Sequence, residues 1–228
     1  MDLLQRREQE IFATLAKIKK YHFVVIGGYA VNAYTLPRFS VDCDIVVKNL
    51  KESALIEREL EKVGYVKEAG STQSIPYHGS FVRYVKEIGL WCKVSMDILI
   101  HEVADRQTST IFGAAWVFKH SLLRVLRGKT IADQLRLRII DLDALVVMKF
   151  ICCRSTDIRD VFMLLPMIPN REALKDEIST HYDFSNRFHK IKEKITSPTF
   201  KDGLQGVYGY VDQHTFDKHT KAVLDLEK

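Results

Sequence analysis

Long apolar runs are the first thing this chain lacks. None approaches the roughly 20 uninterrupted apolar residues that cross a bilayer, so no membrane partner is expected. Cysteine is scarce: there are 4, namely Cys43, Cys92, Cys152 and Cys153, and none shows CxxC spacing. That excludes a disulfide-dense secreted scaffold, and all of them read as buried free thiols. Adjacent Cys152 and Cys153 fall where a helix looks continuous and cannot easily serve one zinc ion. There is no internal repeat and no low-complexity linker. A large excess of one charge is missing too: 34 Lys+Arg against 29 Asp+Glu leaves +5. This mild basicity allows a nucleic-acid or nucleotide partner without requiring one. The opening segment MDLLQRREQEIFATLAKIKK is amphipathic and carries acids, unlike a secretory signal or a transit peptide, so the cytoplasm is the expected location.

What is present is ordinary soluble-globular material, 46% hydrophobic and 28% charged over 228 residues. That length can bury a real core as one large domain or two small ones. Leu3, Leu4, Ile11, Leu15 and Ile18 form a helical stripe. HFVVI (22–26) reads as a strand leading into Gly27-Gly28, then a short helix to about Leu36, stopped by Pro37. A strand is expected from about Val41 to Val47 and a helix over 51–65, with Gly64 as a C-cap. The stretch Gly70 to Gly79 reads as a polar loop. SFVRYVKE (80–87) and LWCKVSMDILIH (90–101) read as a hairpin turning at Ile88-Gly89. Residues 102–120 are ambiguous, and RLRII (136–140) suggests a short strand. Asp141 suits the N-cap of an apolar helix, LDALVVMKFICCR. A helix follows from about Asp157 to Leu165, then one or two charged helices over 171–196. The tail carries Gly203, Gly206 and Gly209, with helix resuming near Thr215. Strands first and helices later predict an α+β chain: a domain over 1–140 with a mixed sheet flanked by helices, then a helical C-terminal region over 141–228.

The chemistry concentrates in FVVIGGYAVNAYTLPRFSVDCDIVV (23–47). Asp42 and Asp44 alternate inside an apolar strand, so both side chains leave the same face. Neighbouring carboxylates repel unless a cation sits between them. A solvated surface strand would also alternate this way, but the glycine pair upstream tips the balance toward a metal site. A Gly-Gly turn between strand and helix lets backbone amides approach a phosphate closely. Asp97 lies mid-strand in KVSMDILI. If that strand pairs beside the first, three acids converge at one sheet edge, a hard oxygen set suited to Mg²⁺. Lys149 is embedded in an apolar helix and is not expected to be buried unpaired. Lys119, Arg124, Arg127, Lys129, Arg136 and Arg138 cluster in sequence as a solvated face or an RNA-contacting one.

The run GGYA, then RFSVDCDI, then an Asp on a later strand, resembles the nucleotidyltransferase superfamily with its DNA-polymerase-β-like fold. GGYAVNAY with Arg38 and Ser40 before the acid pair is most similar to AbiEii-type toxins and related minimal nucleotidyltransferases. Residues 141–165 extend the resemblance, which covers about residues 20–165. It implies a transferase moving an NMP from an NTP to an acceptor hydroxyl with two Mg²⁺ ions. Gly27, Gly28, Arg38 and Ser40 would contact the nucleotide. Asp42, Asp44 and Asp97 would bind metal, with Asp97 also the base for the acceptor. Lys149 would reach a phosphate, and Asp157 would be the acid of the family's last motif. Asp160 would instead orient neighbouring helices. The acceptor implied is RNA, as at a tRNA 3′ end, with a cognate antitoxin as partner. An aminoglycoside-like small acceptor and a catalytically silent binding module are the competing expectations. One departure stands out: the common Gly-Ser signature is Gly-Gly here, so a serine contact to phosphate is missing.

Overall fold

The computed structural model describes residues 3–69, 80–90 and 92–227. The expected polar loop Gly70 to Gly79 and Trp91 lie outside them. The chain separates into two compact units. One holds the residues up to Ala33 with Pro37–Ala104 and Ile111–Asp141; the other runs from Leu142 onward and includes Tyr34–Leu36 and Asp105–Thr110.

The first unit opens with α1 (Leu3–Ile18), β1 (Val24–Val25), α2 (Gly27–Val31), β2 (Asp42–Val47) and α3 (Leu50–Lys62). Then come β3 (Val66–Lys67), β4 (Ser80–Gly89), β5 (Cys92–Ile100), β6 (Glu102–Ala104) and β7 (Ile111–Gly113). It ends with α4 (Ala114–Lys119), β8 (Ser121–Arg127) and β9 (Gln134–Ile140). A seven-stranded mixed sheet runs β3-β4-β5-β2-β1-β9-β8, while β6 and β7 pair separately. The strand and helix around the glycine turn are shorter than expected. The helix that starts at Gly27 has no side-chain cap at Ile26.

Periodicity explains the layers. In α1, Ile11, Leu15 and Ile18 recur on one face and are buried, while Leu3 and Leu4 remain exposed. Each buried aliphatic contributes about 1.5–3 kcal/mol. Asn49 caps α3 by accepting from the Glu52 backbone N–H at 3.0 Å, and Gly64 ends it at φ +89°. Both helices cover one sheet face: Tyr84 donates to Glu57 and Glu61 of α3 at 3.0 Å each, and Lys86 pairs with Glu10 of α1 at 2.8 Å. Glu8 of α1 reaches far along the chain, accepting from the backbone of Lys129 and Thr130 in the β8–β9 turn at 2.5 and 2.8 Å.

The hairpin reads differently from its sequence. β4 and β5 pair antiparallel with Arg83 opposite Asp97, and the chain turns at Leu90 rather than at Ile88-Gly89. Strand β8 was not foreseen in its basic sequence. It is an edge strand paired with β9, its exposed charges standing between apolar residues.

The second unit is helical: α5 (Leu142–Cys152), α6 (Ser155–Leu164), α7 (Arg171–His181), α8 (Phe184–Ile195), α9 (Phe200–Tyr208) and α10 (Gln213–Leu224). α5 is apolar on every side because α6, α7 and α8 all pack against it. Phe150 stacks on Phe184 with ring centres 5.3 Å apart, and Phe162 meets Phe200 and Phe216. α9 was unforeseen because Gly203 and Gly206 lie inside it; Gly209, at φ +90°, ends it. Among the described residues no helix is long and apolar enough to cross a membrane.

Candidate active site

The acids lie on the sheet face opposite α1 and α3. β2 and β5 run parallel with Asp44 beside Asp97 and Asp42 beside Ser95. Register partners share a face, so Asp42, Asp44 and Asp97 point the same way. Between them Cys43 turns into the core, where burial and the surrounding carboxylates push its thiol well above the ordinary range. These are inner strands of the sheet, not an edge as the sequence suggested.

Each acid has a neighbour. The Ser95 hydroxyl donates a short hydrogen bond to Asp42. Asp97, 4% exposed, receives a bidentate pair from Arg83, Nε to Oδ1 at 2.8 Å and Nη2 to Oδ2 at 2.6 Å. Burial raises the Asp97 pKa, and Arg83 pulls it partly back. The same pair holds the guanidinium proton more tightly.

The glycine turn closes against this face. Ile26 N–H donates to the Asp44 carbonyl at 3.0 Å, which brings Gly27 over the Asp44 side chain. Gly27 has φ +66°, and a Cβ there would strike the Asp44 carboxylate. A Cβ on Gly28 would strike the Ser40 hydroxyl and meet Arg38 Nη1 at 3.3 Å. Arg38 is fixed by Asn32, whose side chain donates to its carbonyl at 2.9 Å and accepts from its N–H at 3.0 Å. Gly27, Gly28, Arg38, Ser40, Asp42, Asp44 and Asp97 therefore all gather in the sheet unit.

The donor chemistry suits a hard divalent cation at Asp42 and Asp44, two partly exposed carboxylates on one face. Asp97 has both oxygens on Arg83. Among the described residues no group of three or more His, Cys, Asp or Glu side chains is arranged to hold a metal ion.

Lys149 and Asp157 lie in the helical unit. Lys149, 7% exposed, pairs with Asp157 at 3.0 Å and Asp160 at 2.7 Å. Asp157 also accepts from the Arg154 backbone at 3.2 Å and its Nε at 2.8 Å, fastening the first turn of α6. Tyr208 of α9 donates to Asp160 at 2.5 Å. A buried lysine is tolerable because this network neutralises it.

Sequence reasoning missed Arg83, Ser95 and Asn32. The signal for Arg83 was present in the strand alternation. A turn centred on Ile88-Gly89 sets Arg83 against Val94, a slip that moves it to the wrong face.

No family model and no curated protein sequence matches this chain. Solved structures do resemble it. An antigenic nucleotidyltransferase-like protein from Paracoccidioides brasiliensis matches with TM-score 0.50 at 13% identity, over 94% of this chain and 96% of that one. A nucleotidyltransferase structure from H. pylori, so named only by assignment, matches with TM-score 0.49 at 14% identity, over 99% and 95%. A lincosamide antibiotic adenylyltransferase, LnuA, bound to lincomycin, matches with TM-score 0.44 at 18% identity, over 69% and 94%. The chain has the nucleotidyltransferase fold.

Proposed function

We propose that this chain is a nucleotidyltransferase that moves an NMP from an NTP to an acceptor hydroxyl and releases pyrophosphate. The observation that carries this reading is the common face of Asp42, Asp44 and Asp97 beside the Gly27-Gly28 turn. Asp42 and Asp44 would hold Mg²⁺, with Asp97 as third acid; bound there, it would neutralise charge on the phosphates and the departing pyrophosphate. The backbone at Gly27 and Gly28 would cradle the triphosphate, with Ser40 donating and Arg38 supplying positive charge. Asp97 would take the proton of the acceptor hydroxyl as its oxygen bonds to the α-phosphorus and the bond to pyrophosphate breaks. The resemblance also gives Lys149 a phosphate and makes Asp157 the acid of the family's last motif.

For the acceptor we favour RNA, at a tRNA 3′ end. Arg127, Arg136 and Arg138 are exposed, and the register puts them on the acid-bearing face of the sheet. Such a basic stretch suits a phosphate backbone. The likeness to AbiEii-type toxins extends the proposal to a toxin with a cognate antitoxin. The test is label transfer from each NTP to total RNA in Mg²⁺, with Asp42→Ala as control. No transfer, together with growth arrest that survives Asp42→Ala, removes the proposal. Label appearing only on small cationic acceptors would replace RNA with that class.

A second reading, a nucleotide-binding module without turnover, is favoured by the Arg83 grip on Asp97. NTP binding with no product under every acceptor would select it.

A further inference from the structure

Arg83 stands where a nucleotidyl-transfer site would want open carboxylate oxygens. It is opposite Asp97 in the hairpin, on the acid-bearing face, and its fork covers both oxygens at 2.8 and 2.6 Å. This is a built contact, in which a planar guanidinium matches a carboxylate in a way lysine cannot. The Arg83 head lies 5.7 Å from the centre of the Phe81 ring. The side chain is 34% exposed against 5% for that of Asp97, so the cation has a way out and the acid does not.

The charges around Asp97 point the same way. Asp42 and Glu68 act on both Asp97 and Arg83 as further negative charges, and Arg83 is the cation set directly on Asp97. Removing Arg83 takes a positive charge from this group and uncovers Asp97.

We propose that Arg83 serves as the site's own second cation: in the resting protein its guanidinium fills the place at Asp97 that a second divalent ion would take. The free protein then holds one metal ion, at Asp42 and Asp44. Arg83 is a positioning residue, holding Asp97 in place through its two hydrogen bonds. A polyanionic triphosphate arriving beside it gives the guanidinium a competing partner and opens Asp97 to metal or to the acceptor. This inference rests on the metal-binding reading of the acid face and specifies how that face is filled.

Mn²⁺ titration of the full chain without nucleotide, followed by the electron paramagnetic resonance of the free ion, tests it. Wild type should bind one ion and Arg83→Gln two, while Arg83→Gln/Asp97→Asn should return to one. Thermal melting gives a second readout. Arg83→Gln should melt lower than wild type in chelator and recover more of its midpoint than wild type does when Mn²⁺ is added. Arg83→Lys, which keeps the charge but loses the fork, should bind the second ion more weakly than Arg83→Gln. Equal stoichiometry in wild type and Arg83→Gln, whether one or two, overturns the role given to Arg83 and leaves the acid pair intact. No Mn²⁺ bound by either protein removes the metal site itself and this inference with it.

Discussion

Asp97 in the sheet unit and Asp160 in the helical unit are both nearly inaccessible carboxylates, each with a cation within 2.7 Å. Their surroundings differ. Around Asp160 the count closes: Asp157 and Asp160 are matched by Lys149 and Arg154, two charges against two, and Tyr208 adds a hydrogen bond. Around Asp97 the acids outnumber the guanidiniums, and Asp42 and Asp44 stay partly exposed. A closed count around two buried acids describes a fastening. An open count beside a glycine cradle describes a place prepared for something charged to arrive.

The contrast breaks most visibly where the fastening is cut. Lys149→Met should cost about 3–5 kcal/mol in chemical denaturation, because two buried aspartates lose their counter-charge. An unchanged unfolding midpoint would show that the network is not structural. Asp42→Asn should do the reverse, lowering nucleotidyl transfer on the order of a thousandfold while shifting stability by no more than about 0.5 kcal/mol. Gly27→Ala falls between them. At φ +66° the new side chain should cost about 1–2 kcal/mol. It should also weaken Mn²⁺ binding, since its Cβ displaces the Asp44 carboxylate.

Acid should sharpen the difference with opposite signs. Burial raises the Asp97 pKa above its unfolded value, so this group's cost is complete above the raised value and disappears as pH falls through the window. His219, which contacts the Phe162 carbonyl at 3.0 Å, has a pKa depressed by burial. Its contribution is present above the unfolded value, about 6.5, and is lost as pH falls below it. Denaturation curves at stepped pH should therefore flatten between neutral and mildly acidic pH in His219→Gln. The same slope in wild type and variant would remove His219 from the account.

The motif between residues 23 and 47 was legible because everything in it is local. Alternation fixes the common face of Asp42 and Asp44, and two glycines announce the turn. The coming together of Asp97 with them depends on parallel pairing of β2 and β5, which sequence could only pose as a condition. Arg83 was hidden by the register of one hairpin. The partners of Lys149 lie 8 and 11 positions away across a helix break, beyond any helical spacing rule. α9 was lost because two glycines argue against a helix until Phe200, Leu204 and Tyr208 bury one side of it.

The hold of Glu8 on the β8–β9 turn has a consequence for the order of events during synthesis. Its helix is made well before the amides it receives, which belong to Lys129 and Thr130. β1 likewise waits for β9, its parallel partner. Contacts this distant in sequence close late and slowly. The sheet that carries the acid face is thus finished only once β9 has been made, and a copy cut short before it carries the motif without the framework that aims it.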